Sequence, residues 1–314
     1  MVVGTTIGQL LTNPPPPIQW VIEELLSEGV TVFAGPPKLG KSLMALQLCS
    51  NVTLGHTTLG KFTTKPGRIH YFGLEDNLRR FYDRVKIQKL EIDPDKFHVY
   101  TETEPGQYTL NFIEGLVTAF PDTKIVVIDT MEKVRGESKA RTQYSADYEF
   151  VGAFQQIALK YHIAIILVHH TREMENPDQE VLDAVSGTRG ITAAAENIWV
   201  LQRAKNISYN ADLRILGKGM DSADYVLDFD SDRLTWEISG EGHTYAVTER
   251  RQQILDLISK EGPLGLTEIH QKLVIAANGS GEEIKYNAVA QTLRRMAKVN
   301  QLIQPKTGIY AVRG

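Results

Sequence analysis

The sequence predicts an α/β protein built on a mostly parallel sheet, with a small helical domain at its carboxyl end. Three observations carry that expectation. Residues 35–42 form a complete G-x-x-x-x-G-K-[ST] loop between an apolar, β-branched run and a helical run. Apolar runs of strand length then recur at intervals that leave room for helices between them. Beyond about residue 248 the pattern changes to short amphipathic helices and a turn flanked by short strands.

Taken in order, Pro14–Pro17 excludes helix or central strand and marks the leader as an extended surface segment. The stretch from about Ile18 to Ser27 reads as a short helix leading into the first strand, Val30–Ala34. Then come Gly35, Pro36, Pro37, Lys38, Leu39, Gly40, Lys41 and Ser42, with Leu43–Cys49 reading as a helix. Glycines let backbone N–H groups converge on an anion, and a helix N-terminus adds a favourable dipole. Lys41 is expected to reach the β- and γ-phosphates of ATP, and the Ser42 hydroxyl to ligate Mg²⁺. Leu43 closes the set expected against the nucleotide, and Lys38 reads as a solvated loop residue. The bland alternative, a glycine turn between strand and helix, does not require all four fixed positions in this context.

Further strands are expected at Arg68–Phe72, Phe97–Tyr100, Lys124–Ile128, Ile163–Val168 and Asn197–Gln202, with Tyr148–Tyr161 as one intervening helix. Such alternation predicts a doubly wound sheet with ligands at the carboxyl ends of its strands. Short strands at Asp212–Leu216, Tyr225–Phe229 and Arg233–Ile238 then suggest an antiparallel extension. The expected division is an ATPase domain over 1–238, a linker over 239–247 beginning Ser239-Gly240-Glu241-Gly242, and a second domain over 248–314.

In that last domain Ile254, Leu255, Leu257 and Ile258 mark one helix. A second begins at Gly265-Leu266-Thr267, with Thr267 as N-cap and Ile269 and Leu273 facing inward. The third, Tyr286–Val299, buries Val289, Leu293 and Met296 and presents Gln291, Arg294, Arg295 and Lys298. Short strands around Pro305-Lys306-Thr307-Gly308 complete a winged helix-turn-helix, which can place a helix in the major groove of duplex DNA. The same architecture also serves purely protein contacts.

Composition narrows the class. With 42% hydrophobic and 23% charged residues, the 314-residue chain is ordinary for a soluble globular protein. No run approaches the roughly 18 apolar residues of a membrane span, and the N-terminus lacks the pattern of a signal peptide. Cys49 is the only cysteine, which excludes an internal disulfide and a cysteine-based zinc site. A cytoplasmic location is expected. Net charge is −4, but residues 249–314 hold ten Lys/Arg against six Asp/Glu, and the rest 24 against 32. A basic appendage on an acidic core suggests a partner of its own for the tail.

Lys124–Ile128 runs into Asp129, a carboxylate at a strand end of the kind that holds a Mg²⁺ shell. Hydrolysis also needs a base to orient water. Glu75, just past the second strand and expected beside the nucleotide strand, is the candidate, with Asp76 as its rival. The adjacent His169 and His170 end a strand and therefore point to opposite faces, which disfavours a shared metal. Lys133, Arg135, Lys139 and Arg141 follow one strand, and Arg172 and Arg189 follow another. Cations on mobile backbone suit a nucleic-acid strand, with Tyr144 and Tyr148 the sparse stacking partners nearby.

From about Gln19 to Phe229 the chain resembles the RecA-like ATPases related to the plasmid helicase RepA, a branch of the RecA/DnaB core. The residues that carry the resemblance are the loop 35–42, "YFGLED" at 71–76, "VVIDT" at 126–130, "VHHT" at 168–171 and "SGTRG" at 186–190. The resemblance implies water activation by Glu75, Arg84 near the adenine, and γ-phosphate sensing by His169 or His170. It also implies rings or filaments with ATP at subunit interfaces, completed by a neighbour's basic residue matched by Lys218. Relatives usually carry arginine there, and lysine lacks its planar fork. Single-stranded DNA would run in the core channel and duplex at the winged helix. The implied function is ATP-driven DNA unwinding in replication of a plasmid, phage or mobile element. Alternatives are a strand-coating recombinase or annealing ATPase, and an ATP-gated DNA-binding regulator.

Overall fold

The computed structural model describes residues 4–138, 140–171, 189–203, 210–218, 222–241, 253–277, 284–298, 302–306 and 308–312. A first small hairpin pairs β1 (Trp20–Ile22) with β2 (Leu26–Ser27). The main strands are β3 (Gly29–Gly35), β4 (Arg68–Gly73), β5 (Phe97–Tyr100), β6 (Thr123–Asp129), β7 (Ala164–His170) and β8 (Asn197–Arg203). Three more follow: β9 (Asn210–Gly217), β10 (Ala223–Asp230) and β11 (Thr235–Glu241). Together β3 to β11 form one nine-stranded sheet in the order β11-β10-β9-β8-β3-β7-β6-β4-β5. The pairs from β8 through β3, β7, β6 and β4 to β5 are parallel.

Parallel strands buried on both faces read as continuous apolar runs, and Val126–Ile128 and Ile165–Val168 are fully buried. The helices of this part are α1 (Ile7–Thr12), α2 (Lys41–Leu54), α3 (Leu78–Gln88), α4 (Gln107–Ala119), α5 (Gln143–Tyr161) and α6 (Arg189–Ala194). Helix α2 is buried along most of its length and encloses Cys49, whose thiol burial pushes up well above its ordinary range. Such a thiol is inert.

The compact units are Met1–Gln202 with Leu213–Ser222 and Phe229–Glu237, and Arg203–Asp212 with Ala223–Asp228 and Ile238–Gly314. Within the second, residues 253–261 form α7, followed by β12 (Leu264–Gly265), α8 (Leu266–Ala277), α9 (Tyr286–Lys298), β13 (Leu302–Lys306) and β14 (Ile309–Val312). Strands β12 and β13 flank β14 in an antiparallel sheet. Ile254, Ile269, Leu273, Val289, Leu293 and Met296 share its core, as the helical spacing predicts.

Four expectations are corrected. The segment 18–27 is a hairpin, because Glu23 N–H donates to Thr63 O and Lys65 N–H to Val21 O, and that pairing overrides its helical spacing. The leader contains α1, held by a capping box between Thr6 and Gln9. Thr267 lies inside α8 rather than at its cap; Gly265 N–H instead donates to Glu268 Oε2 at 2.9 Å. Finally, β4 is not beside β3, since β7 and β6 intervene.

Candidate active site

Register puts the site together. Gly35 on β3 stands opposite His170 on β7, Val168 on β7 opposite Asp129 on β6, and Asp129 opposite Gly73 on β4. Four strands therefore deliver their carboxyl ends to one level, and Glu75 reaches it two residues past β4. Gly35 is required at its turn because a Cβ there would lie 2.5 Å from Leu201 O on the neighbouring β8. Lys38 takes a positive φ of 61° at the exposed tip of the loop.

Lys41 is 3% exposed. Its ammonium donates to Gly35 O and Pro36 O, each at 2.8 Å, and to His170 Nδ1 at 3.1 Å. Burial lowers its pKa from 10.5 to about 8, against the opposing pull of Asp129, Glu75 and Glu132. An ammonium only donates, so Nδ1 of His170 accepts and Nε2 carries the proton. That Nε2 faces Glu75 Oε2 at 3.4 Å, while Thr130 Oγ1 donates to Glu75 Oε1 at 3.1 Å. Glu75 is thus steered from both oxygens. Its rival Asp76 is taken by the Arg84 guanidinium, with Arg80 3.6 Å away.

Asp129 is 5% exposed and accepts from Tyr71 OH at 2.8 Å. Burial raises its pKa above the ordinary carboxylate value, against hydrogen bonds from Ser42 and Tyr71. A hydroxyl and a buried, under-compensated carboxylate in contact are a suitable oxygen pair for Mg²⁺. Among the described residues no group of three His, Cys, Asp or Glu forms a ready cage, so the remaining ligands would be phosphate and water. His169 turns away from Lys41 and pairs with Glu132. Burial alone would raise the Glu132 carboxyl, but the His169 contact holds it below its ordinary range.

Other candidates lie elsewhere. Arg84 is committed to Asp76. Lys218 is exposed and donates to Ala193 O at 2.8 Å, not to the loop cluster. Arg135 turns inward onto the buried Asp147 and over the Phe150 ring, so it is not the free cation its sequence position suggested. Lys133 and Arg141 are exposed, as are Arg294 on α9 and Lys306 on β13. Lys139 and Arg172 fall outside the described residues, as do the side chains of Arg189, Arg295 and Lys298. Tyr71, Thr130 and Glu132 are contributors that sequence reasoning missed. All three sit inside or next to the motif runs, but a hydroxyl's partner depends on which strands become neighbours.

A family model described as an AAA domain matches residues 3–175. Among solved structures, the ATPase domain of G40P superposes with a TM-score of 0.55 at 12% identity, covering 67% of this chain and 84% of that one. A DnaB-like replicative helicase, described with its interactions with primase, gives 0.54 at 11% identity, covering 67% of this chain and 58% of the other. At such identities the likeness is one of fold.

Proposed function

The chain belongs to the AAA domain family, its core has the RecA-like ATPase fold, and from that premise we propose an ATP-hydrolysing motor that works on DNA. The observation that carries the reading is the linkage of Lys41, His170 and Glu75 above Asp129, at the ends of four adjacent strands.

In this reading the backbone N–H groups of 35–42 cradle the phosphates, and Lys41 exchanges Gly35 O and Pro36 O for phosphate oxygens. Ser42 and Asp129 would hold Mg²⁺, which neutralises charge on the transferring phosphoryl. Glu75 accepts a proton from the attacking water and orients it, with Thr130 and His170 fixing the carboxylate. Of the two histidines, His170 is assigned the γ-phosphate contact, because it alone touches both Lys41 and Glu75. Tyr71 positions Asp129.

The finer reading is a RepA-like replicative helicase of a plasmid, phage or mobile element. Residues 1–238 are its ATPase domain, 239–247 its linker and 248–314 a winged helix. Identical chains form a ring or filament in which Lys218 serves a neighbour's nucleotide. Lys133 and Arg141 meet single-stranded DNA, and Arg294 and Lys306 meet duplex. Three helices with a three-stranded antiparallel sheet support the winged-helix assignment. The exposed basic residues of that unit also favour a second reading, an ATP-gated duplex-binding regulator.

One experiment separates them. ATP turnover is measured with and without single-stranded DNA, beside native mass and strand displacement. Stimulated turnover by an assembly that unwinds supports the helicase. Filaments without unwinding favour a strand-coating ATPase. Duplex binding lost on deleting 249–314, with unstimulated turnover, favours the regulator.

A further inference from the structure

The phosphate loop rests on a residue far along the chain, outside the segment that the family model matches. Trp236 on β11 is 3% exposed, and its ring lies flush against Gly40. A Cβ placed on Gly40 would meet the Cζ2 and Nε1 atoms of that indole at 3.1 Å. The indole N–H donates to Gly40 O at 3.3 Å. Gly40 itself holds a φ of 95°, in the left-handed region, where the loop turns into α2.

The seat is fastened by two buried amides. Gln47 of α2 accepts from Trp236 N–H and donates to Trp236 O, both at 2.8 Å. Gln88 of α3 donates to Leu43 O at 3.1 Å and to Leu234 O at 2.8 Å. Both groups of the Gln47 amide are bonded to the Trp236 main chain, and the Gln88 amide nitrogen bridges main chain on both sides of the seam, leaving Gln88 Oε1 buried without a hydrogen-bond partner among the described residues. The first turn of α2 is thereby locked to residues 234–236. An anion cradle depends on the directions of its backbone N–H groups, and those directions follow from the φ and ψ of Gly40 and its neighbours.

We propose that Trp236 is a positioning residue for the nucleotide site, holding Gly40 so that the loop's N–H groups converge before a phosphate arrives. This rests on the reading of 35–42 as a nucleotide loop. It goes further in assigning the loop's preorganisation to a side chain about two hundred residues away.

Full-length Trp236→Phe and Trp236→Ala variants test it, through Mg–ATP affinity, kcat and tryptophan emission. Phe keeps an aromatic ring but lacks the indole N–H, and should weaken affinity by about 2- to 10-fold while lowering the nucleotide-free melting temperature only by a few degrees. Ala should lose on the order of 100-fold, as expected when a reacting group is displaced by about an ångström. Most of that loss should therefore be recovered in the Phe variant. Mg–ATP should also change tryptophan emission in the parent chain, and that change should vanish in Trp236→Phe although Trp20 and Trp199 remain. A folded Trp236→Ala that binds Mg–ATP as tightly as the parent overturns the assignment, and so does an emission change that survives in Trp236→Phe. Should the Ala variant not fold, the affinity and emission of the Phe variant decide. Absence of Mg–ATP affinity in the parent chain is a different failure, that of the nucleotide reading itself.

Discussion

The phosphate-loop end of the sheet and the C-terminal helical unit use their charges in opposite ways. At the loop, Lys41, Asp129, Glu75 and His170 are bound to backbone, to one another or, for Asp129, to the Tyr71 hydroxyl, and two of them are almost fully buried. In the C-terminal unit the core is apolar, and Arg294 and Lys306 stand in solvent. Fixed, desolvated charges suit the stabilisation of a reacting group. Exposed cations suit a sequence-independent polyanion, whose grip is electrostatic and weakens with salt.

The largest test of that contrast is Glu75→Gln. It should leave Mg–ATP binding in place and lower turnover by roughly 10²- to 10⁴-fold, the usual contribution of a general base. Turnover at the parent rate would move water activation to another residue.

Tyr71→Phe comes next. Loss of the hydroxyl on Asp129 should raise the Mg²⁺ concentration for half-maximal turnover by about 10-fold, the low end of outer-sphere effects on metal sites. An unaltered Mg²⁺ titration would reduce Tyr71 to core packing.

Acidity provides the third. Lys41 has a pKa near 8 in the folded chain and 10.5 otherwise, so between those values the unfolded chain binds the extra proton. Its burial cost is fully present below about pH 8, and nucleotide-free stability gains from this group as pH rises from there to 10.5. Nucleotide capture runs the other way, because only the ammonium meets phosphate. We expect kcat/KM for ATP to fall as pH rises through about 8, read from a pH–rate profile beside melting curves. A flat profile over that range would detach Lys41 from capture.

The smallest effect belongs to the tail. Replacing Arg294 and Lys306 by Ala should weaken duplex binding by a few-fold and flatten its salt dependence by about one unit of slope per lost phosphate contact. ATP turnover without DNA should not change. A change in turnover with no change in duplex binding would erase the contrast between the two regions.

Where sequence reasoning succeeded, the signal was local. The loop sits between β3 and α2 because an apolar β-branched run, the glycines and a helical run are contiguous. Strands β4, β6, β7 and β8 were legible as apolar runs, since parallel strands inside the sheet are buried on both faces, whereas β5 is a half-buried edge strand. The hairpin at 20–27 was not, because Val21, Ile22, Leu25 and Leu26 satisfy helical spacing as well as strand burial. Only pairing with Thr63 and Lys65 decides between them. Arg135 shows the same limit for a side chain. In the sequence it is a cation after a strand, and in the fold Asp147 draws it inward.

By itself the sequence determined a glycine loop between strand and helix, the carboxylate that ends β6 and an apolar pattern for each unit, because backbone geometry and side-chain period are written in neighbouring residues. Tertiary structure alone decided that β7 and β6 stand between β3 and β4, that His170 and not His169 meets Lys41, and that Trp236 supports Gly40. Those contacts join residues far apart in the chain, and which of them form is fixed only when strand order and register place one side chain within reach of another.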